Sequence, residues 1–222
     1  MAEFWTIEGI DGAGKSHLLS RLTTVPSHAT ALSKDDPPHT GNTWLDRRLA
    51  LMHDLTWGYD HAEPVWDYPA HYWLHSLAAW YTLFHHAYVA PALDRDRPVV
   101  VDGWYFKHQA RMALSGDEIL VSQAEDVFSA LPQPDRVVLL TTTAEVATTR
   151  RAGTSKPSEH GAFTTKRATT SSAAFTDYQT RTARALEVLL STHPAPVHTL
   201  PSTSDETDLL PLLPLLRGEV NA

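Results

Sequence analysis

The sequence predicts an α/β protein whose parallel sheet carries helices on both faces. Near the N-terminus, the apolar residues 4–7 run into a glycine-rich loop, and leucines at helical spacing follow that loop. Farther along, the uninterrupted apolar runs 98–101 and 137–140 are typical of strands that are buried on both faces. Helical segments alternate with these strands, and such alternation indicates a parallel sheet.

Length and composition favour one cytoplasmic domain that spans residues 1–222. The chain contains no cysteine, which excludes disulfides, thiolate catalysis and zinc–thiolate sites. The net charge of −8 argues against a nucleic-acid polymer as partner, because no basic stripe is present to neutralise a phosphate backbone. No apolar run reaches about eighteen residues and no signal-peptide pattern is present, so we expect a soluble protein without membrane attachment.

One segment, Gly9-Ile10-Asp11-Gly12-Ala13-Gly14-Lys15-Ser16, has the spacing of a phosphate-binding P-loop. Its glycines allow successive backbone N–H groups to point inward, and the next helix directs its positive end at the same place. Lys15 supplies a cation for the β- and γ-phosphates, and Ser16 supplies a hydroxyl for Mg²⁺. We therefore predict a site for ATP or another nucleoside triphosphate, formed by Gly9, Asp11, Gly12, Ala13, Gly14, Lys15, Ser16 and His17.

Apolar patterns and turn residues place the elements in chain order. The predicted strands cover residues 3–8, 28–33, 98–102, 136–140 and 197–200. The predicted helices run from the P-loop to residue 23 and then cover residues 44–55, 70–92, 105–114, 122–131, 144–151, 163–190 and 205–216. The stretch 153–161 is rich in small and polar residues, which indicates a mobile loop.

With these elements in place, the chain resembles the thymidylate kinase family of P-loop kinases. The matching parts are the phosphate loop, the long helix with the third strand, the fourth strand with the helix entering the lid, and the helix after the lid, at residues 8–16, 90–102, 139–150 and 175–178. The resemblance implies a three-layer P-loop NTPase fold with a five-stranded parallel sheet. It also implies an ATP donor with Mg²⁺, a lid at about residues 150–163 and a homodimer.

Three departures from the family pattern concern the acceptor. In the family, the third strand ends in Asp-Arg-Tyr, and that Arg grips the acceptor's 5′-phosphate, whereas Gly103 stands here. An Arg of the long helix is matched by Tyr81, and the Arg-Glu-Pro after the second strand is matched by Asp35-Asp36-Pro37. A charge-assisted contact contributes about 1.5–3 kcal/mol, so we infer an acceptor with a free hydroxyl and no 5′-phosphate.

A hydroxyl acceptor needs a carboxylate to take its proton during phosphoryl transfer. Asp36 follows the second strand, where the related deoxynucleoside kinases carry their base, and Asp102 closes the third strand. Both would face the edge at which such sheets bind ligands. Glu63 begins a segment that looks still more like the deoxynucleoside kinase one, but it comes too late for the second strand. Asp102 is equally a candidate to hold Mg²⁺ through water.

The remaining candidates surround the predicted acceptor. Asp11 either caps the N–H groups of its own loop or, by the resemblance, lies near the acceptor sugar and the metal. Arg150 and Arg151 precede the lid and could stabilise charge on the transferring phosphoryl group. Aromatic and apolar side chains could enclose a planar acceptor, since base–aromatic stacking contributes about 1–3 kcal/mol. The predicted acceptor contacts are Asp11, Glu63, Trp73, Leu77, Tyr81, Tyr105, Lys107 and Arg111.

The leading prediction is an ATP-dependent phosphotransferase that acts on a hydroxyl of a small nucleoside-like or specialised-metabolite acceptor. One alternative is a true dTMP kinase, in which Lys107 and Arg111, one helical turn apart, replace the lost arginines. The alternative of another class is a nucleotide-dependent switch. Against the switch, the sequence has no guanine-reading Asn-Lys-x-Asp segment.

Overall fold

A computed structural model describes residues 1–24, 29–60, 62–161 and 170–202. Five parallel strands form one sheet in the order β2-β3-β1-β4-β5. The strands are β1 (Phe4–Glu8), β2 (Thr30–Leu32), β3 (Val99–Val101), β4 (Arg136–Thr141) and β5 (Val197–Pro201). The predicted five-stranded α/β fold is therefore confirmed, and the central position of β1 puts the glycine loop in the middle of the sheet's carboxyl edge.

Helices cover both faces of this sheet. They are α1 (Lys15–Thr24), α2 (Thr43–Trp57), α3 (Ala70–Phe84), α4 (Ala90–Leu93), α5 (Phe106–Ala113), α6 (Glu118–Ser129), α7 (Ala144–Arg151) and α8 (Ser172–Ser191). Two short 3₁₀ turns, Val65–Asp67 and Pro157–His160, lie between helices. Within these described ranges, no helix combines the length and the apolar character that crossing a bilayer requires.

Alternate residues of β1 belong to two different cores. Phe4 faces a core formed with α3, α5 and α6, and Trp5 and Ile7 face a second core formed with α1 and α7. All five residues of the strand are buried, as its continuous apolar pattern predicts for a strand covered on both sides. The sheet thus separates two apolar layers, and its carboxyl edge remains open for a ligand.

The long helix predicted over residues 70–92 is interrupted, which corrects that prediction. A π-helical turn, His85–Val89, separates α3 from α4, and the Ala90 N–H donates to the carbonyl of His85, five residues earlier. Pro91 follows directly; it has no N–H to donate and its ring would crowd the carbonyl four residues before it. The wider π turn accommodates the proline without ending the helical path.

Other element boundaries differ from the predicted ones. Helix α6 starts four residues early, because Asp117 caps it by accepting from the N–H groups of Ile119 and Leu120. The stretch 153–161 was predicted to be a mobile loop, yet Pro157–His160 is a buried turn. The predicted helix 205–216, the first part of the helix 163–190 and residue 28 of the second strand lie outside the described residues.

Two substitutions on α6 test which side of that helix supports the core. Phe128 is fully buried and stacks on Tyr105 with ring centroids 5.1 Å apart, whereas Ile119 is 69% exposed. We expect Phe128→Ala to lower the free energy of unfolding by about 3–5 kcal/mol, through lost burial and the cavity left behind. Ile119→Ala should change it by about 0.5 kcal/mol or less. Urea denaturation measures both, and equal losses would contradict the described packing.

Candidate active site

The P-loop lies between the carboxyl end of β1 and the start of α1. Gly12 and Gly14 have positive φ angles of 80° and 97°, which glycine adopts without the strain that a Cβ would bring. A Cβ on Gly12 would also come within 2.9 Å of the Ala147 carbonyl, so there is no room for a side chain there. The loop can therefore present backbone N–H groups to an anion, as the sequence motif predicts.

Lys15 is folded back onto the loop. Its Nζ donates to the carbonyls of Gly9 and Ile10, each at 2.9 Å. Burial and the positive charge of Lys107 lower the pKa of Lys15 to about 7, against the opposing effect of the carboxylates of Asp11 and Glu8. Phosphate oxygens of a bound nucleotide would favour the charged ammonium form, so donor binding and protonation of Lys15 support each other.

Ser16 and Asp102 meet at the P-loop. The Ser16 hydroxyl donates to Asp102 Oδ2 at 3.1 Å, and the Lys34 N–H donates to Asp102 Oδ1 at 3.0 Å. Asp102 is 1% exposed at the end of β3, while Ser16 opens to the cleft. A hydroxyl beside a carboxylate is the oxygen donor set that suits Mg²⁺. These two residues therefore fit the predicted metal site, although the described chain contains no cluster of three or more acidic or histidine ligands.

Glu8 lies buried beneath the loop and was not among the predicted site residues. Its Oε1 accepts the Trp104 N–H at 2.6 Å, and Oε2 has no hydrogen-bond partner within the described residues. Burial raises the pKa of Glu8 to about 7, against the lowering effect of the Trp104 N–H and the charge of Lys15. The side chain therefore couples the P-loop to the segment that follows β3.

Asp11 joins the helices α5 and α8 to the P-loop. Its carboxylate accepts from Lys107 Nζ at 2.5 Å and from the Arg111 guanidinium, both on α5. Gln179 of α8 accepts the Asp11 N–H at 3.1 Å and donates to its carboxylate at 3.2 Å. Gln179 also donates to the carbonyl of Glu159 in the lid segment at 2.8 Å. Burial disfavours the charged carboxylate, but Arg111 and then Lys107 hold the pKa of Asp11 well below its usual range.

A cleft of about 640 Å³ opens from the P-loop toward the helices α2, α3 and α5. Such a volume is typical of small-molecule sites. Its far wall is mainly aromatic and apolar, and is formed by Trp57, Tyr59, Trp73, Leu77 and His108. Trp73 and Leu77, two of the predicted acceptor contacts, line this wall. Stacking on its aromatic rings would favour a planar group.

Asp35, one residue before the predicted Asp36, lines the cleft after β2. Its Oδ1 lies 3.6 Å from His53 Nε2, and its Oδ2 lies 3.2 Å from Lys34 Nζ. The nearby His53 ring is the main cause that lowers the pKa of Asp35, and the charge of Lys34 adds to it against partial burial. Asp35 is thus a carboxylate that stays ionised at neutral pH.

Several predicted residues lie elsewhere, which corrects their proposed roles. Asp36 is exposed and does not line the cleft, whereas the preceding Asp35 does. Glu63 accepts from the Tyr68 hydroxyl at 2.8 Å outside the cleft. Tyr81 is 1% exposed and donates to the Trp104 carbonyl at 2.9 Å, while Tyr105 is buried against Gln133. These tyrosines pack in the core behind the cleft.

The two arginines before the lid have different surroundings. Arg150 extends along the P-loop and donates to the carbonyl of Gly12 at 3.3 Å and to Ser202 Oγ at 2.8 Å. Arg151 donates to both carboxylate oxygens of Glu159, at 3.2 and 2.6 Å. Arg150 therefore lies beside the P-loop, and the exposed His17 lines the same cleft. Arg151 is bound to the lid segment.

Sequence reasoning missed the cleft residues Lys34, Asp35, His53, Trp57, Tyr59, His108, Lys156 and Glu159. Most of them come from segments without a motif, and their convergence depends on how α2 and the lid segment fold toward α5. The signal for Asp35 was present, since the predicted base was its neighbour. The signal for Glu159 was hidden, because a stretch rich in serine, threonine and proline normally indicates an open loop.

Gly103 follows the buried strand β3 and Asp102. Its φ angle is 107°, a conformation that L-residues with a Cβ rarely adopt. The turn that this glycine allows lets the Trp104 N–H donate to Glu8 and places the Trp104 ring against Phe4 with centroids 5.1 Å apart. The backbone conformation at this position therefore favours glycine over arginine.

Comparison with known proteins agrees with this geometry at the level of the fold. A solved structure of deoxyadenosine kinase from M. mycoides, with products dCMP and a flexible dCDP bound, superimposes with a TM-score of 0.58. The alignment covers 97% of this chain and 99% of that chain at 13% sequence identity. The chain therefore shares the overall fold of that deoxyadenosine kinase. No protein-family model and no curated protein sequence matches the chain. The likeness to thymidylate kinases in particular therefore stays a sequence prediction.

The titration of Glu8 gives a test of the buried cluster. The raised pKa of Glu8 means that the folded state binds its proton between about pH 4.5 and 7, while the unfolded state releases it. Its contribution to stability is therefore fully present below pH 4.5 and is lost as the pH rises to 7. We expect the unfolding free energy of Glu8→Gln, relative to wild type, to increase across this range by on the order of 1–3 kcal/mol.

Urea denaturation between pH 4 and 8 measures this difference. Glu125→Gln, an exposed change on α6, is the matched control and should track the wild type at every pH. A constant difference between Glu8→Gln and wild type over the whole range would show that Glu8 does not change its protonation there.

Proposed function

We propose that the protein is an ATP-dependent phosphotransferase that transfers the γ-phosphoryl group to a free hydroxyl of a small, nucleoside-like acceptor. The P-loop with Lys15, and the contact between Ser16 and Asp102, support the ATP side of this proposal. The aromatic cleft that opens from the same loop supports the acceptor side. The fold, which is shared with a deoxyadenosine kinase, is consistent with both.

The observation that carries the free-hydroxyl proposal is the pairing of the cations on the acceptor side. Lys107 and Arg111 both donate to Asp11, and Lys34 pairs with Asp35. The Lys156 ammonium donates to the Trp57 carbonyl at 2.7 Å and lies 5.0 Å from the centroid of the Tyr59 ring. A phosphate on the acceptor would have to displace these partners. This cost supports an uncharged hydroxyl over the dTMP alternative, in which Lys107 and Arg111 grip a 5′-phosphate.

The proposed reaction is an in-line displacement at the γ-phosphorus. The acceptor oxygen forms a bond to phosphorus while the bond from phosphorus to the β,γ-bridging oxygen breaks, and its electron pair stays with ADP. The acceptor hydroxyl gives its proton to the Asp35 carboxylate, which lines the cleft and stays ionised. Lys15 and Arg150 would balance the negative charge of the phosphates.

Ser16 and Asp102 are the residues that would hold Mg²⁺. A bound Mg²⁺ supplies positive charge to the β- and γ-phosphate oxygens. Asp102 takes the metal role over the base role, because its two oxygens already accept from Ser16 and the Lys34 N–H and it is 1% exposed. The chain's own contribution is to orient these groups before the donor arrives, which reduces the reorganisation needed during transfer.

A comparison of acceptors tests the proposed reaction. ADP release should be fastest with free nucleosides and much slower with dTMP, other nucleoside monophosphates, aminoglycosides or water. Lys15→Ala should abolish transfer, because the phosphates then lose their cation on the loop. A preference for dTMP would overturn the free-hydroxyl proposal, and turnover that is equal with and without any acceptor would favour a nucleotide-dependent switch.

Neighbouring aspartates provide a matched test of the proposed base. Asp35→Asn removes the carboxylate that lines the cleft, and we expect kcat to fall by about 100-fold or more, while the KM for ATP stays within about threefold. Asp36→Asn makes the same chemical change on an exposed side chain and should leave kcat within about twofold. If Asp36→Asn gave the larger loss, the assignment from sequence would be right and the one from the structure wrong.

A further inference from the structure

His108 is a buried histidine that faces the acceptor cleft from α5 and that the proposed reaction does not use. It is 8% exposed and lines the cleft together with Trp73 and Leu77. Its ring lies beside those of Trp57 and Tyr81, with centroid distances of 6.4 and 6.2 Å. The part of the chain that the structure describes provides no hydrogen-bond partner for either ring nitrogen.

The His108 nitrogens are not enclosed away from solvent, because neither is among the fully buried polar atoms that lack a partner within the described residues. Next to His108, a second cavity of about 20 Å³ is lined mainly by apolar side chains, among them Met112 and Leu120. That space is enough for about one water molecule, but an apolar lining offers it few partners. A ligand that displaces water from the main cleft would therefore have to supply the hydrogen bonds of the imidazole itself, or their free energy would be lost.

We propose that His108 determines acceptor specificity by hydrogen bonding to the polar edge of a planar, uncharged heterocycle that stacks in the aromatic cleft. This inference rests on the proposed acceptor site. A neutral imidazole carries a donor on one nitrogen and an acceptor on the other, so the nitrogen that faces the cleft can pair with one acceptor or donor group on the pairing edge of a nucleobase. Burial and the charges of Lys107 and Arg111 hold the pKa of His108 well below its usual range, which is consistent with a neutral ring.

The charges around His108 also select against other ligands. On its own helix, Lys107 and Arg111 flank the ring, and Asp11 and Lys34 face it from the P-loop and from the segment after β2. The nearest charges are positive, so a cationic ring would be disfavoured at this position. An acceptor without a polar edge, such as a plain aromatic ring, would stack on Trp73 but would leave the imidazole unsatisfied.

The test is direct binding without ATP, so that it does not depend on transfer. Thymidine, deoxycytidine, deoxyadenosine and deoxyguanosine are titrated against tryptophan fluorescence, since Trp57 and Trp73 line the cleft. We expect at least one of them to bind, and His108→Leu to raise its Kd about tenfold or more, because the polar edge then loses its partner. His108→Gln keeps a donor and an acceptor and should stay within about threefold.

His86→Leu is the matched control, because this histidine is exposed in the π-helical turn outside the cleft; it should leave the Kd unchanged.

A second experiment keeps the native protein and changes the ligand. Methylation of the polar ring nitrogen of the best-binding nucleoside, as in N3-methylthymidine for thymidine, should weaken binding to a similar degree. Unchanged binding by His108→Leu or of the methylated nucleoside, or no binding of any nucleoside, would overturn the proposal. Nucleoside binding through His108 without ADP release would overturn the proposed reaction alone.

Discussion

The pairing of Asp11 with Lys107 and Arg111 is the interaction on which the arrangement of the cleft depends. One carboxylate of the P-loop neutralises two cations of α5, and Gln179 connects the same residue to α8 and to the lid segment. Without Asp11, two positive groups would remain buried beside Lys15, at a considerable cost in free energy. These buried charged and polar contacts therefore fix the positions of the P-loop, α5, α8 and the lid segment relative to one another.

This constraint explains how the donor and acceptor sides of the cleft differ. On the donor side, the P-loop can present backbone N–H groups to phosphate. Lys15 can also turn toward phosphate, since its present partners are only carbonyl oxygens. On the acceptor side, the cations already have carboxylate or carbonyl partners, and the surface between them is aromatic. The two halves of one cleft thus attract different chemistry, although both carry lysine and arginine.

The sequence predicted the sheet and the glycine loop between β1 and α1, because these depend on local patterns. A continuous apolar strand and the spacing of Gly9, Gly12 and Gly14 determine their structure within a few residues. The acceptor side depends on tertiary packing. Trp73 and Leu77 line the cleft, whereas Tyr81 and Tyr105 lie in the core, because a sequence pattern cannot tell which aromatic ring faces a cleft. His108 and Glu159 required the tertiary packing of α5 and the lid segment.

Gly103 limits how this protein could change its substrate. At a φ of 107°, an arginine introduced there would need a strained backbone, and relieving that strain would move the Trp104 N–H away from Glu8. An arginine that reaches into the cleft from this turn therefore needs more than a single exchange of side chains. The turn, the buried carboxyl of Glu8 and Trp104 would have to change together, because each of them depends on the backbone conformation that Gly103 adopts.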